Sequence, residues 1–513
     1  MATTASVQGV ILPTSSTTDV LTYQGQYSGS ISTTINTSVP NLLDLRNPDP
    51  DGDGIAYNGK PIYTLDQVIA QLDRNGAIWP ITGNGTITYS FAEHAPGGQF
   101  NNPHVGLSDT VAGFESFNAE QRDAARDALQ LWDDLIAPSF REINGAGADI
   151  VYMNTNTGPA QAAAYTPFLD GTHGRYGHVQ GHTFVNQDQP DNFDLQPGGY
   201  GETTLVHETG HTLGLEHPGD YNFAVGGTIT YAHDATYFQD SYQYSIMSYF
   251  NAGNTGAVGY VNWATGGYYQ TPQTPMIDDI AAVQAMYGAD LTTRTGDTTY
   301  GFHSNADRDV FDFTTNINPF LSIYDAGGHD TLDLSGFSHP AVLDLREGHF
   351  SSGFGEQADA VQLDAMYGLD PTVFTQAVWT AIFEGRTSNP GFLSDNIGIA
   401  YGTIIEDGVT GSGNDRLIGN DVGNRLDGGA GSDTYTGNGG SDVFVISQAG
   451  FGDTITDFQA GVDKLDLSAF HIDASHLSHS GNTLLVDING DGHADLAVLS
   501  QTGLIGTGDI LFG

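Results

Sequence analysis

The run His207-Glu208-Thr209-Gly210-His211-Thr212-Leu213-Gly214-Leu215-Glu216-His217 spaces three imidazoles and a carboxylate as a metal site requires. On a helix, His207 and His211 stand four residues apart, so both rings project from one face toward a single ion. Glu208 lies beside the first ligand, within reach of a metal-bound water. Gly214 can take the left-handed conformation that stops a helix and reverses the chain. His217 then brings a third nitrogen and leaves one coordination position open for water or substrate. The chemistry this permits is hydrolysis, with zinc acidifying its water and Glu208 acting as general base. A bare His-Glu-x-x-His is short enough to arise by chance. The glycine and the third histidine at these offsets weigh against that.

Elements on either side must hold these residues in place. Residues 63–72 read as a short amphipathic helix with Leu65, Val68, Ile69 and Leu72 on one side. Residues 85–91 alternate as a strand does. A long helix follows, opened by Asn118 and Gln121 as a capping box, with Ala125, Leu129, Trp132 and Ile136 as its buried stripe and Pro138 as its stop. Residues 148–153 form a further strand, and 162–165 an edge strand. Residues 278–287 make a last helix, opened by Thr274-Pro275 and closed by Gly288. Strand, helix and more strands before a metal-bearing helix predict a mixed α/β domain.

The chain has 513 residues, room for two or three domains, and carries 61 Asp+Glu against 14 Lys+Arg for a formal net charge of -47. Such acidity repels nucleic acid and anionic membrane surfaces, which excludes both as partners. Absence of cysteine excludes disulfides and thiolate zinc sites. No apolar run approaches the length of a transmembrane helix. The first basic residue is Arg46, so no conventional signal peptide is expected. Residues 1–45, rich in Ser, Thr and Gly, read as a weakly structured leader. Asp49, Asp51 and Asp53 alternate as in a calcium loop but lack a distal acidic ligand, so an acidic turn is favoured.

Beyond a boundary near 289–295 the texture changes, and residues 410–445 form four nonapeptides, TGSGNDRLI, GNDVGNRLD, GGAGSDTYT and GNGGSDVFV. Each resembles G-G-x-G-x-D-x-U-x, the calcium-binding repeat of RTX proteins. Two such units make one coil of a parallel β-roll. Glycines permit the turns, the acid faces calcium, and Leu417, Leu426, Tyr435 and Phe444 point into a thin core. A flexible linker has no reason to place an apolar residue two positions after the acid in every unit. Candidate calcium ligands are Asp415, Asp433 and Asp442 with Gly411, Gly413, Gly429 and Gly431, and upstream Asp330 and Asp333. The second unit carries Asn424 for the acid and Val422 for a glycine, which weakens its half-site. Asp487, Asn489, Asp491 and Asp495 are spaced as a further calcium loop or an acidic turn.

Together these residues resemble the serralysins, secreted bacterial zinc metalloproteases of the metzincin group. His217-Pro218-Gly219-Asp220-Tyr221-Asn222, Ser245-Ile246-Met247-Ser248-Tyr249, Asp278-Asp279-Ile280-Ala281-Ala282 and Tyr287-Gly288-Ala289 match family segments. So do residues 324–334 and 453–467, which resemble its flanking RTX segments. The resemblance implies a multidomain chain: a mixed α/β metzincin zinc-protease domain over 46–290, then an all-β parallel β-roll over 291–513. It implies one catalytic zinc on His207, His211 and His217, with Tyr249 as a weakly held additional ligand that can turn to the oxyanion. Met247 becomes the hydrophobic floor of a Met-turn, and several calcium ions are structural. It also implies protein or peptide substrates laid along the edge near 163–165, a type I exporter reading the C-terminal end, and extracellular action as a monomer. A small proteinaceous inhibitor is a further candidate partner.

Residues 352–393 stand outside the family pattern as an insertion, within which 373–383 could form a small helix. His173, His178, His182 and His233 are read as surface or core residues, and those before the zinc helix could alternatively line the cleft. The rival reading is an RTX adhesion protein with a degenerate protease domain, which the intact ligands and Glu208 oppose. An RTX lipase is set aside for want of a G-x-S-x-G elbow.

Overall fold

The computed structural model describes residues 54–513 apart from 55, 57, 82, 96–112, 146, 157–160, 168–178, 223–227, 258–259, 262–267, 270 and 354–392. The leader, the acids Asp49, Asp51 and Asp53, the histidines His173 and His178, and 373–383 of the insertion lie outside the described residues.

Helix α1 (Leu65–Leu72) opens on Thr64, whose hydroxyl accepts from Gln67 N while the Gln67 side chain accepts from Thr64 N. It buries Val68 and Leu72. Helix α2 (Ala119–Asp133) has the expected capping box of Asn118 and Gln121 and buries Ala125, Leu129 and Trp132, but it ends at Asp133, before Pro138, so Ile136 is buried past the helix in a β-bridge to Ala289. Helices α3 (Tyr200–Leu213) and α4 (Ile277–Tyr287) complete the helical layer. The strands are β1 (Thr86–Phe91), β2 (Ser139–Glu142), β3 (Ile150–Thr155), β4 (Ala162–Ala164) and β5 (His182–Asn186). They form one sheet in the order β2-β1-β3-β5-β4. All pairs are parallel except β4 with β5, which leaves β4 antiparallel at the edge.

Sequence patterning anticipates β1, β3 and β4 but not β2 or β5. In β2 only Phe140 turns inward, and parallel pairing with β1 rather than apolar alternation makes it a strand. β5 lies between β3 and β4 with Thr183, Phe184, Val185 and Asn186 all buried. His182 therefore starts a strand rather than sitting in a loop.

The second half is the expected parallel β-roll. Asp407–Val409, Arg425–Asp427 and Val443–Val445 stack on one sheet, and Arg416–Ile418 and Thr434–Thr436 on the other. Successive repeats thus alternate between two sheets, and Leu417, Leu426, Tyr435 and Phe444 fill the space between them. Burial of such side chains contributes about 1.5–3 kcal/mol each. Thr299–Gly301 and Thr331–Asp333 extend the first sheet upstream. Leu477–Ser480, Thr483–Val486 and Leu496–Ser500 extend the second as an antiparallel meander. In the loop after Val486, Asp487 accepts from Gly490 N and Gly492 N, and Asp495 from Ile488 N, so the turn's own amides engage these acids.

The halves meet at the C-terminal end of α2. Asp134 pairs with Arg294 at 2.8 Å and with Arg308 at 2.7 Å. The largely buried Arg294 guanidinium also donates to Tyr300 Oη and Tyr324 O. Among the described residues no helix is long and apolar enough to cross a membrane.

Candidate metal centre

Helix α3 carries His207, Glu208 and His211 and ends where the sequence required. Gly214 has φ 110°, and a Cβ there would lie 1.9 Å from Ala77 O, so only glycine allows this close approach. Carbonyls at the helix end find donors: Trp79 Nε1 to Thr212 O at 2.9 Å and Tyr287 Oη to Leu213 O at 2.7 Å. Trp132 Nε1 donates to Val206 O and Tyr152 bonds Thr209, fixing α3 to α2 and β3. Arg74, just past α1, donates to His217 O at 2.5 Å and Gly219 O at 3.2 Å and so holds the loop of the third histidine.

The three histidines converge, with candidate ligand atoms all within 4.8 Å of one another. Each Nδ1 bonds a backbone carbonyl: His207 to Ile246 O at 2.8 Å, His211 to Leu215 O at 2.7 Å, and His217 to Tyr221 O at 2.8 Å. A carbonyl can only accept, so the three protons sit on Nδ1 and the Nε2 lone pairs are left bare. Burial pushes His207 down to about 4 and His211 to about 3, and lowers His217 well below its ordinary value, so all three are neutral near pH 7. A cluster of neutral imidazoles with inward lone pairs is a donor set for a borderline-soft cation such as zinc.

Glu208 is buried, with the backbone N–H of Ala164 in β4 near enough to favour its charged form. Its Oε2 has no hydrogen-bond partner among the described residues. Desolvation pushes this carboxyl up to about 8 before any cation is considered. The Tyr249 ring lies 4.4 Å from that of His217 and 6.1 Å from that of His207, with the side chain partly open to solvent. Met247 is fully buried beneath α3, and a Cβ on Gly210 would come within 2.7 Å of its Sδ.

Two buried acids that the sequence did not single out as site residues brace this floor. Asp279 of α4 accepts from Ser245 Oγ at 2.6 Å, Ile246 N at 2.6 Å and Met276 N at 2.8 Å. Asp240 accepts from Tyr221 Oη at 2.7 Å and Ser248 Oγ at 2.8 Å. His233 is exposed and bonds Asp234.

In the roll, the repeat acids point along the stack. Asp433 Oδ1 accepts from Asp415 N at 2.8 Å and Asp442 Oδ1 from Asn424 N at 2.9 Å, while Asp415 accepts from Ala341 N at 2.7 Å. Asp415 Oδ2 and Asp330 Oδ2 are buried without a partner among the described residues. Asp330 Oδ1 accepts from Thr298 N, whereas Asp333 is taken by His303 and Ser335 N. Burial pushes Asp330 and Asp433 up to about 7 and Asp442 to about 6, neighbouring acids adding to the shift. The glycines stack closely: a Cβ on Gly429 would meet Gly411 O at 2.1 Å and one on Gly431 would meet Gly413 O at 1.7 Å. Asn424 instead accepts from Asn420 N and donates to Glu406 O.

The family model described as "Peptidase M10 serralysin C terminal" matches residues 289–365 and 365–485. The chain is 37% identical over 498 residues to "Metallopeptidase AprA" of Pseudomonas marginalis, covering 87% of this chain and 91% of that protein. It is 34% identical over 505 residues to "Serralysin A" of Dickeya chrysanthemi, covering 90% of each. Against "Serralysin C" of the same organism it is 36% identical over 402 residues, 76% of this chain and 71% of that one. Likeness at this level, over both halves and around a converged histidine triad, makes the chain a member of the serralysin family of metalloproteases.

Proposed function

We propose that this metalloendopeptidase works through one zinc ion held by His207, His211 and His217, with Tyr249 as an additional, exchangeable ligand. The observation that carries the reading is the locking of all three Nδ1–H groups onto backbone carbonyls, which turns three bare Nε2 atoms toward one point. Zinc, when bound, supplies a Lewis acid for the scissile carbonyl and a water of lowered pKa. Glu208 takes the attacking water's proton and passes it to the leaving amine; its buried Oε2, without a partner among the described residues, is left to do this. Tyr249 donates its phenolic hydrogen bond to the oxyanion as charge develops there. The substrate backbone adds as a further strand to β4, the free edge beside Glu208.

The domains we assign are a leader over 1–45, a catalytic domain over 46–290 and an RTX domain over 291–513, with 352–393 inserted. Its carboxylates repel one another at low calcium and hold the roll unfolded for a type I exporter. Extracellular calcium, bound by Asp330, Asp415, Asp433 and Asp442 with carbonyls of Gly411, Gly413, Gly429 and Gly431, folds it. The protein then acts outside the cell as a monomer on protein substrates, and a small proteinaceous inhibitor is a candidate regulator.

Glu208→Gln decides the catalytic assignment. Proteolysis falls by about 10²–10⁴-fold, the contribution of a positioned general base, while zinc content stays at that of the parent protein. Retained activity sinks the role of Glu208. A casein zymogram with and without chelator separates the protease from an adhesion protein with a degenerate centre.

A further inference from the structure

The three histidines are not braced alike. His211 bonds Leu215 O in the turn closing α3, so its partner comes from the same short segment. His207 bonds Ile246 O, whose own amide is fixed by Asp279. His217 lies beyond the helix, and its partner is the carbonyl of Tyr221 in the same loop. Tyr221 stacks on the His217 ring at 5.5 Å with planes 11° apart, and its ring lies 5.2 Å from that of Tyr249. One carboxylate oxygen ties this loop to the turn bearing Tyr249. Asp240 Oδ1 accepts from both Tyr221 Oη and Ser248 Oγ, and Asp240 is fully buried. Ser248 Oγ also accepts from Phe250 N, so the residues on both sides of Tyr249 are fixed by the same hydroxyl.

We propose that Asp240 is a positioning residue that sets the separation of His217 and Tyr249, and hence the ease with which the tyrosine leaves and rejoins the metal. The proposal rests on the reading of those two residues as ligands. A carboxylate suits the role because two hydroxyls converge on one oxygen and both must donate, which orients Tyr221 Oη away from the site. Loss of the tie lets the 217–221 loop and the 245–250 turn move apart, while His207 and His211 keep their partners. Partners of this kind alter metal affinity by about 10–100-fold when removed.

The test uses the full chain loaded with Co²⁺, with Asp240→Ala, Asp240→Asn and Tyr221→Phe beside the parent protein. Visible spectra report the ligand field, chelator competition reports affinity, and peptide hydrolysis separates kcat from KM. Asp240→Ala and Tyr221→Phe are expected to change the spectrum, weaken Co²⁺ and Zn²⁺ by about tenfold or more, and lower kcat more than KM. Asp240→Asn keeps an acceptor oxygen for both hydroxyls and recovers the parental spectrum and most of the affinity. Tyr221→Phe leaves the Asp240–Ser248 bond intact, so it decides the matter even where Asp240→Ala does not fold. A parental spectrum and affinity in Tyr221→Phe, or an Asp240→Asn protein as impaired as Asp240→Ala, overturns the proposal. Failure of the parent protein to take up one Co²⁺ per chain instead strikes the ligand reading itself.

Discussion

His211 Nε2 lies 3.1 Å from His217 Nε2, and neither nitrogen carries a hydrogen, because each ring's proton is committed at Nδ1. Two lone pairs so placed repel unless a cation sits between them. Tetrahedral zinc with ligand bonds of about 2.0–2.1 Å spans a nitrogen pair of about 3.3 Å. The cost of the arrangement without metal predicts that dialysis against a chelator lowers thermal stability and that zinc restores it. His211→Ala removes the repulsion along with the ligand. Calorimetry is therefore expected to show a smaller loss of Tm on chelation in that variant than in the parent protein.

The roll has a pH signature of its own. Burial raises Asp330 and Asp433 to about 7 and Asp442 to about 6, so the folded state favours their protonated forms. Their contribution is complete below the unfolded value of about 4 and is lost as pH rises through 6 to 7. The buried histidines are shifted the other way; unfolded, with a value of about 6.5, they are half protonated at pH 6.5 and nearly neutral at pH 8, a smaller change than that of the carboxyls. Between pH 8 and 6.5 the carboxyls therefore dominate. Calcium-free protein should melt at a higher temperature at pH 6.5 than at pH 8, and calcium binding should release protons, measurable with a pH indicator. A Tm that falls over that interval would contradict this.

Asn424→Asp places a carboxylate oxygen where the amide nitrogen now donates to Glu406 O. Without calcium the variant should be less stable than the parent by about 1–3 kcal/mol, the cost of an unsatisfied buried group. With calcium it should recover, and titration calorimetry should show tighter or additional calcium uptake.

At the junction, Asp134→Ala leaves Arg294 and Arg308 without their shared partner. The cluster is only partly buried and Arg294 keeps Asp307 at 3.4 Å, so the expected cost is about 1–3 kcal/mol. Urea unfolding followed by tryptophan fluorescence should report it, since Trp132 lies in the same helix. An unchanged midpoint would show that the pair adds nothing to stability.

Gly210→Ala tests the floor of the site. The added methyl would stand 2.7 Å from Met247 Sδ and 3.1 Å from the Trp132 ring. Overpacking of this sort costs about 1–3 kcal/mol, and combining it with Met247→Ala should restore part of the lost stability.

The histidine-bearing helix and the nonapeptides were legible because their signals are local. Histidine spacing in α3 and an apolar residue two positions after the sixth residue of each repeat follow from one turn of backbone geometry. Asp240 and Asp279 were not legible in that way. Their partners lie in the loops around Tyr221 and Ser245, and such bonds leave no period in the chain. β5 was missed because its neighbours β3 and β4 cover both of its edges, so pairing rather than alternation defines it. Asp330 and Asp333 look equivalent in sequence, yet His303 occupies only the second, from a turn that lies next to it only once the coil is wound.

The edge strand β4 is three alanines long, so what it offers a partner is peptide backbone and almost no side-chain relief. A protein presenting only paired strands and helices has no free ladder to lay against it. If substrate adds to this edge as proposed, selection falls on the looseness of the substrate chain rather than on its sequence, and hinges, frayed termini and half-folded chains should be cut before tightly folded ones.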